Sequence, residues 1–384
     1  MLISYSKALE IIRATILPLQ STYKTTLLES IHRIASQDIF AKWDMPNETM
    51  SLKEGFGLHL GSLPTYHLIT EANPLFVPPN YAIELSTGST LISGINAVIA
   101  KEDVEFNADS TLNIPSSIPV GYNIKQQGED FCRNQCIVKR CESINAYTLS
   151  ALASQGLTHI ETFSPPKISI LSIGNTLLSL GVSKQDGMVY NSNAMSLAAR
   201  ILELGASIQS IEVCSEDTSL IVQKLAELSE EADFIITTGG MGTQDVMHKA
   251  LAQEVLSVLF HYVQISPARP SALSLLKNKP ILHLPGLPLS CLLGFEMLGT
   301  PILKRLQHIP LNQQPPIALK NQQMITCKAC STSAIPGVSD GITFTNAPAY
   351  QAAMLNTLST CNGYILIEGQ EQIEPGENVL FYPF

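Results

Sequence analysis

The strongest constraint on this chain is an alternation that runs from Lys167 to about residue 307. Apolar runs such as KISILSIG, SIQSIEVC, DFIITTGG, LFHYVQIS and PILHLPG alternate with segments of helical period, SNAMSLAARILELGA, TSLIVQKLAELSEEA, DVMHKALAQEV and LSCLLGFEMLGTPILKRL. Near-continuous apolar strands alternating with helices of about 10 to 15 residues call for a parallel sheet covered on both faces. Such a sheet binds its ligand beyond the carboxyl ends of its strands. Three glycine turns fall at that edge: Ser172-Ile173-Gly174, Thr237-Thr238-Gly239-Gly240 and Pro285-Gly286. Each alone is no more than the turn any α/β protein needs. Together they favour a phosphate-bearing ligand held by backbone N–H groups.

The flanking regions read differently. Residues 1 to about 45 carry two helical patterns, ALEIIRATI and TTLLESIHRIAS, the second opening on threonines able to cap it. From about 51 to 134 come short strand-like runs, YAIEL, NAVIAKEDVEF and STLNI, separated by Gly, Pro and Asn. A helix, AYTLSALASQGL, leads to Pro165-Pro166. PLNQQPP introduces a final block, from about 312, that reads as a small β-barrel or sandwich. The expected organisation is therefore α/β plus β-rich domains: residues 1–50 with 135–165, 51–134, 166–308 and 312–384.

Composition narrows the function classes. A net charge of -10 argues against a general binder of nucleic acid or anionic membrane, so any anionic ligand must be gripped locally. The 45% hydrophobic content includes no run long enough to span a bilayer, and a cytoplasmic protein is expected. Cys132, Cys136, Cys141 and the Cys327-x-x-Cys330 pair lack four-ligand zinc spacing, which favours ordinary reduced thiols. His248, His261 and His283 show no metal or triad spacing. Arg269, between two prolines, is rigidly presented and able to face an anion. Gly128-Glu129-Asp130 puts two carboxylates in a loop, where solvation alone is an ordinary role. Asp217 and Asp245 each stand near a helix start, where a carboxylate also serves the helix dipole.

The order of these segments resembles the MoeA and gephyrin E-domain family, the molybdopterin molybdenumtransferases. The likeness runs over nearly the whole chain, through PLQSTYKTTLLESIHRIASQDIFA, STGSTLISGINAVIAKED, GYNIKQQGED, SIGNTL, MVYNSN, TTGG, LPGLP and LNTLSTCNGYILIEGQEQIEPGENVLFYPF. It implies an elongated four-domain subunit that forms a homodimer, with a doubly wound third domain like MogA and MoaB and a C-terminal β-barrel-like domain. The implied reaction is Mg²⁺-dependent insertion of molybdenum from molybdate into adenylylated molybdopterin, with release of AMP. Molybdoenzymes or other cofactor-synthesis proteins are the implied partners. A catalytically weak paralogue that binds molybdopterin or a partner protein as scaffold or carrier is the alternative.

Carried over by position, the resemblance implies Asp130, Glu54, Asp217 and Asp245 as the acids, with Glu54 and Asp245 on the metal. Thr87, Gly128, Gly174, Asn193, Thr238, Gly239, Gly240, Arg269, Pro285 and Gly286 are the implied pterin, phosphate or molybdate contacts. The departures matter equally. The family's Ser-x-Met-Asp-Gly-Tyr-Ala is Ser51-Leu52-Lys53-Glu54-Gly55-Phe56-Gly57 here, and Ser-Thr-Gly-Asp-Glu-Leu is Ser172-Ile173-Gly174-Asn175-Thr176-Leu177, without either carboxylate. Gly239-Gly240-Met241-Gly242-Thr243-Gln244-Asp245 reaches its acid two residues early. Lys-Pro-Gly-Lys-Pro has become Ser266-Pro267-Ala268-Arg269-Pro270, the asparagine of Pro-Gly-Asn-Pro is Leu287, and a serine after Gln351 is Ala352 or Ala353.

Overall fold

The computed structural model describes all residues except 1, 64, 72–73, 108–110, 116, 243–245, 311–314, 328–330 and 349–350. Asp245, Cys330 and most of the PLNQQPP linker therefore lie outside the described residues. Two compact units emerge, one of Met1–Tyr23 with Phe163–Phe384, the other of Lys24–Thr162. Among the described residues no helix is long and apolar enough to cross a membrane.

The first unit is built on a six-stranded sheet in the order Ser207–Cys214, Lys167–Ile173, Phe234–Thr238, Lys279–Leu284, Ala272–Leu276, Ser257–His261. The first four strands are parallel. The last two pairings are antiparallel, so Ala272–Leu276 runs against all the others, which corrects the expectation of a wholly parallel sheet. The reason is local: Lys277 and Asn278 both take positive φ, 49° and 65°, and close a two-residue hairpin between Ala272–Leu276 and Lys279–Leu284. Alternate side chains of the strands serve opposite faces. Ile168, Ile170, Phe234, Ile236, Leu282 and Leu284 pack on the side of helices Tyr5–Thr15 and Ser192–Glu203 and of the segment from Pro288. Leu171, Ile173, Ile235 and Ile281 face helices Thr218–Glu231 and Val246–Leu251.

The segment from Pro288 is not one continuous helix. A π-helical stretch, Phe295–Gly299, separates Pro288–Gly294 from Thr300–Leu306. It carries Glu296, which is 8% exposed and accepts from Arg200 Nε at 2.7 Å, so the buried charge is paired.

The strands Thr332–Ser339, Thr343–Asn346, Ile317–Asn321, Asn378–Pro383 and Gly363–Glu368 close into a barrel, because the last also pairs with the first. Its core is Leu319, Ile335, Phe344, Ile365 and Phe381 with their neighbours. The short strand Ile265–Ser266 pairs in parallel with Thr332 and Ser333, and so joins the α/β part to the barrel.

The second unit holds a six-stranded sheet over Gly55–Asn113, with Gly55–Leu58 between Ala97–Ala100 and Tyr81–Leu85. Its core is Phe56, Leu58, Tyr66, Ala82, Ile99 and Leu112. The helix expected over TTLLESIHRIAS does not form. Thr22–Thr26 is a strand, Leu28–Ser30 a single 3₁₀ turn, and His32 sits at φ 61°. A run of threonine and tyrosine favours extended backbone, and His32 donates its N–H to Ile144 O at 2.8 Å where a helix would keep it inside. The helix Ala146–Ser154 forms as expected, with the Asn145 side chain capping Tyr147 and Thr148 N–H.

Candidate functional site

The carboxyl edge of the α/β sheet carries a cavity of about 650 Å³. Its floor is made by the ends of three neighbouring strands and the turns that follow them. Gly239 enters its turn at φ 99°, and a β-carbon there would lie 2.2 Å from Ile173 O, so the close approach of the two strand ends requires glycine. A β-carbon on Gly286 would lie 3.2 Å from Gly239 Cα, a tight but less severe approach of the third turn.

Side chains then lock the turns together. Asn193 Nδ2 donates to Gly286 O at 2.8 Å and to Thr238 Oγ1 at 3.3 Å. The Thr238 hydroxyl donates to Pro285 O at 3.2 Å and accepts from the Cys291 thiol, which burial pushes up to about 12. Ser172 Oγ meets Asn191 Oδ1 at 2.9 Å beneath the same edge. Behind the turn, His283 is fully buried between Thr237 Oγ1 at 2.9 Å and Ser274 Oγ at 2.8 Å. Burial, with His261 nearby, lowers its pKa to about 3, so the ring is neutral.

Two of the backbone amides at these turns are already committed. Gly174 N–H donates to Cys214 O at 3.0 Å and Gly239 N–H to Leu284 O at 3.1 Å. Both amides are spent within the fold. What the cavity offers is an orphan acceptor: Asn193 Oδ1 is buried and has no hydrogen-bond partner. An unpaired buried carbonyl costs about 1–3 kcal/mol, so a ligand N–H that reaches it gains the whole of that penalty. Among the described lining residues Lys184 is the only charged side chain, and Tyr190 lines the cavity beside it.

A second cavity, of about 770 Å³, lies where the short strand Ile265–Ser266 joins the barrel. Arg269 lines it with Ser266, Ser290, Thr326 and Ser333, and Ala352 occupies its wall. A guanidinium among hydroxyls suits a small oxyanion.

The residues singled out in sequence thus separate. Asn193, Thr238, Gly239 and Gly286 line the first cavity, while Gly174, Gly240 and Pro285 belong to the turns around it. Arg269 lines the second cavity and not the first. Asp217 caps the helix Thr218–Glu231, its carboxylate accepting from Leu220 N at 2.8 Å. Asn175, where the family has an acid, accepts from Glu216 N at 3.0 Å.

In the other unit, the turns bearing Glu54 and Thr87 adjoin through Gly88 N–H and Ser51 O at 2.9 Å, and both residues are exposed. Strand Ile124–Lys125 pairs with Met50–Ser51 and leads to Gly128-Glu129-Asp130. There Asp130 is salt-bridged to Lys125 at 2.7 Å and Glu129 accepts from Gln126 N at 2.8 Å.

Magnesium needs a set of oxygen ligands that includes carboxylates. The first cavity has none among its described lining residues, and among the described residues no group of three or more His, Cys, Asp or Glu is arranged to hold a metal. The described lining residues alone do not fit Mg²⁺, and Asp245, the implied ligand, lies outside the described residues. Lys184 lines the cavity without belonging to any motif of the sequence, and the two glycines that bracket it, at 181 and 187, are the available signal.

Comparison with known proteins agrees with this architecture. Residues 3–156 match the family described as "MoeA N-terminal region (domain I and II)", and residues 169–305 match "Probable molybdopterin binding domain". The chain is 26% identical over 308 residues to the molybdopterin molybdenumtransferase of Haemophilus influenzae, covering 78% of this chain and 76% of the relative. It is 24% identical over 305 residues to that of Staphylococcus aureus, with 73% and 70% covered. The crystal structure of a molybdopterin biosynthesis MoeA protein from Pyrococcus horikoshii superposes with a TM-score of 0.87 at 20% identity, covering 100% of both chains. Two matched regions that together span most of the chain, with the named relatives, make this chain a member of the MoeA family, with a role in molybdenum cofactor biosynthesis.

Proposed function

We propose that this protein inserts molybdenum from molybdate into adenylylated molybdopterin, with release of AMP. One observation carries the reading: Asn193 Oδ1 is a buried acceptor without a partner in a cavity at the sheet edge. A pterin ring, with its amide and amino N–H groups, is the chemistry that satisfies it. The names of the relatives from Haemophilus influenzae and Staphylococcus aureus support the same substrate class.

In this reading Asn193 orients the ring, Thr238 and the Gly239 and Gly286 turns shape its bed, and the Arg269 cavity takes the oxyanion. Binding without turnover is the second reading. Asn175 favours it, because its side-chain oxygen is committed to Glu216 N–H where the family carries an ionised acid.

The test is anaerobic incubation of the purified chain with adenylylated molybdopterin, with and without molybdate, following AMP. Molybdate-dependent AMP release is expected. Tight binding with no release establishes the second reading, and no binding removes both.

A further inference from the structure

The cavity at the sheet edge meets an anion with one charge. Lys184 stands in the loop between Gly181 and Gly187, whose φ values of 83° and 74° bend the chain without a side chain's strain. Its ammonium lies 5.4 Å from the centre of the Tyr190 ring and donates to Met188 O. The Tyr190 hydroxyl donates to Val182 O at 2.9 Å, which ties the loop to the ring on which the lysine rests. A carbonyl oxygen and a ring face leave the charge unneutralised. Lys184, Tyr190 and Asn193 line the same cavity.

Two of the backbone amides at this edge are not available to an anion. The N–H groups of Gly174 and Gly239 are spent on Cys214 O and Leu284 O. A divalent cation would require carboxylates that the described lining does not contain, Asp245 lying outside the described residues. Asn175 and Thr176 stand at the positions where the family places two of them.

We propose that Lys184 supplies the counter-charge for the phosphoryl oxygens of the ligand in this cavity, so that anion binding here does not depend on a divalent metal. The inference rests on the proposed occupant being a phosphorylated pterin. It adds that the phosphate is recognised by a side chain of this chain where the family's acids would have held a metal. A compact ammonium on a flexible stem suits this: it can leave the Met188 carbonyl and follow the phosphate without moving the strand ends. Binding should also weaken with ionic strength, since the pair forms near solvent.

The experiment is calorimetric titration of the full chain with AMP, the product of the proposed reaction, in EDTA and in Mg²⁺. Wild type, Lys184→Gln and Lys184→Arg are compared, and thermal melts confirm that the loop variants fold. Wild type should bind AMP equally in both buffers. Lys184→Gln should bind about 10-fold or more weakly with a flatter salt dependence, and Lys184→Arg should stay within about threefold of wild type. AMP binding that disappears in EDTA and returns with Mg²⁺ overturns the inference and leaves the proposed function standing. Wild-type affinity in Lys184→Gln overturns it as well. A wild type that binds AMP in neither buffer removes the phosphate site and the proposed function together.

Discussion

The two cavities of the larger unit share a wall and are made in opposite ways. Gly286, Leu287, Pro288 and Ala353 close one, Leu289, Ser290 and Ala352 close the other, and Leu289 N–H binds Ala352 O at 3.0 Å in between. The first is a product of backbone geometry: three strand ends pressed together at glycines, cross-linked by Asn193 and Thr238. The second is a product of side chains, hydroxyls and one guanidinium placed around a junction of strands. A site made of turns can be destroyed by one methyl group. A site made of side chains loses affinity by degrees.

The sharpest way to break this contrast is Gly239→Ala. The added carbon falls 2.2 Å from Ile173 O at a φ of 99°, so the turn must move or the strands must separate. We expect a loss of about 3 kcal/mol of stability and loss of AMP binding, measured by calorimetric melting and titration. A variant that melts with wild type would show that the turn relaxes freely, and the cavity would not be backbone-built.

That contrast also explains what the sequence disclosed. The strand and helix alternation, the barrel at the C-terminus and the three glycine turns were legible because each follows from local period or from a backbone need. The hairpin at Lys277-Asn278 is hidden by the alternation of apolar runs, although asparagine in a two-residue link between them is a turn signal. TTLLESIHRIAS misled for the converse reason: an amphipathic period outweighed the β-branched residues that decide the backbone. Within the site, Asn193 and the Gly239 turn could be named from motif order. That the Gly174 and Gly239 amides are consumed, that Asn193 keeps one oxygen unpaired, and that Lys184 shares their cavity all depend on contacts between segments distant in the chain. The spacing of residues along a sequence carries none of this.

Acid should separate the two regions next. His283 holds strands 234–238, 272–276 and 279–284 together behind the first cavity only while it is neutral, and its folded pKa of about 3 lies below the ordinary 6.5. The depressed value means that the unfolded chain takes up the proton first. The histidine's contribution is therefore complete above pH 6.5 and is lost as pH falls from there toward 3, at about 1.4 kcal/mol per pH unit. Urea unfolding at pH 7.5, 6 and 5 should show a shallower acid loss in His283→Gln than in wild type. Equal slopes would mean that the ring protonates in place without disturbing the strands.

The smallest effect is expected on the other side of the shared wall. Arg269 is exposed, and its backbone oxygen, through the bond from Val263 N at 3.0 Å, is what the fold uses. Arg269→Ala should leave the melting temperature unchanged and AMP affinity within about twofold of wild type, while molybdate binding weakens about 10-fold, since one guanidinium in a partly open site contributes a modest charge-assisted contact. If AMP affinity fell in parallel with that for molybdate, the wall between Leu289 and Ala352 would not divide two binding functions. The cavities would then act as one continuous site, with Lys184 and Arg269 sharing a single extended anion. If molybdate affinity held, the hydroxyls of Ser266, Ser290, Thr326 and Ser333 would suffice for the oxyanion, and the arginine that replaces the family's lysine would carry no part of its recognition.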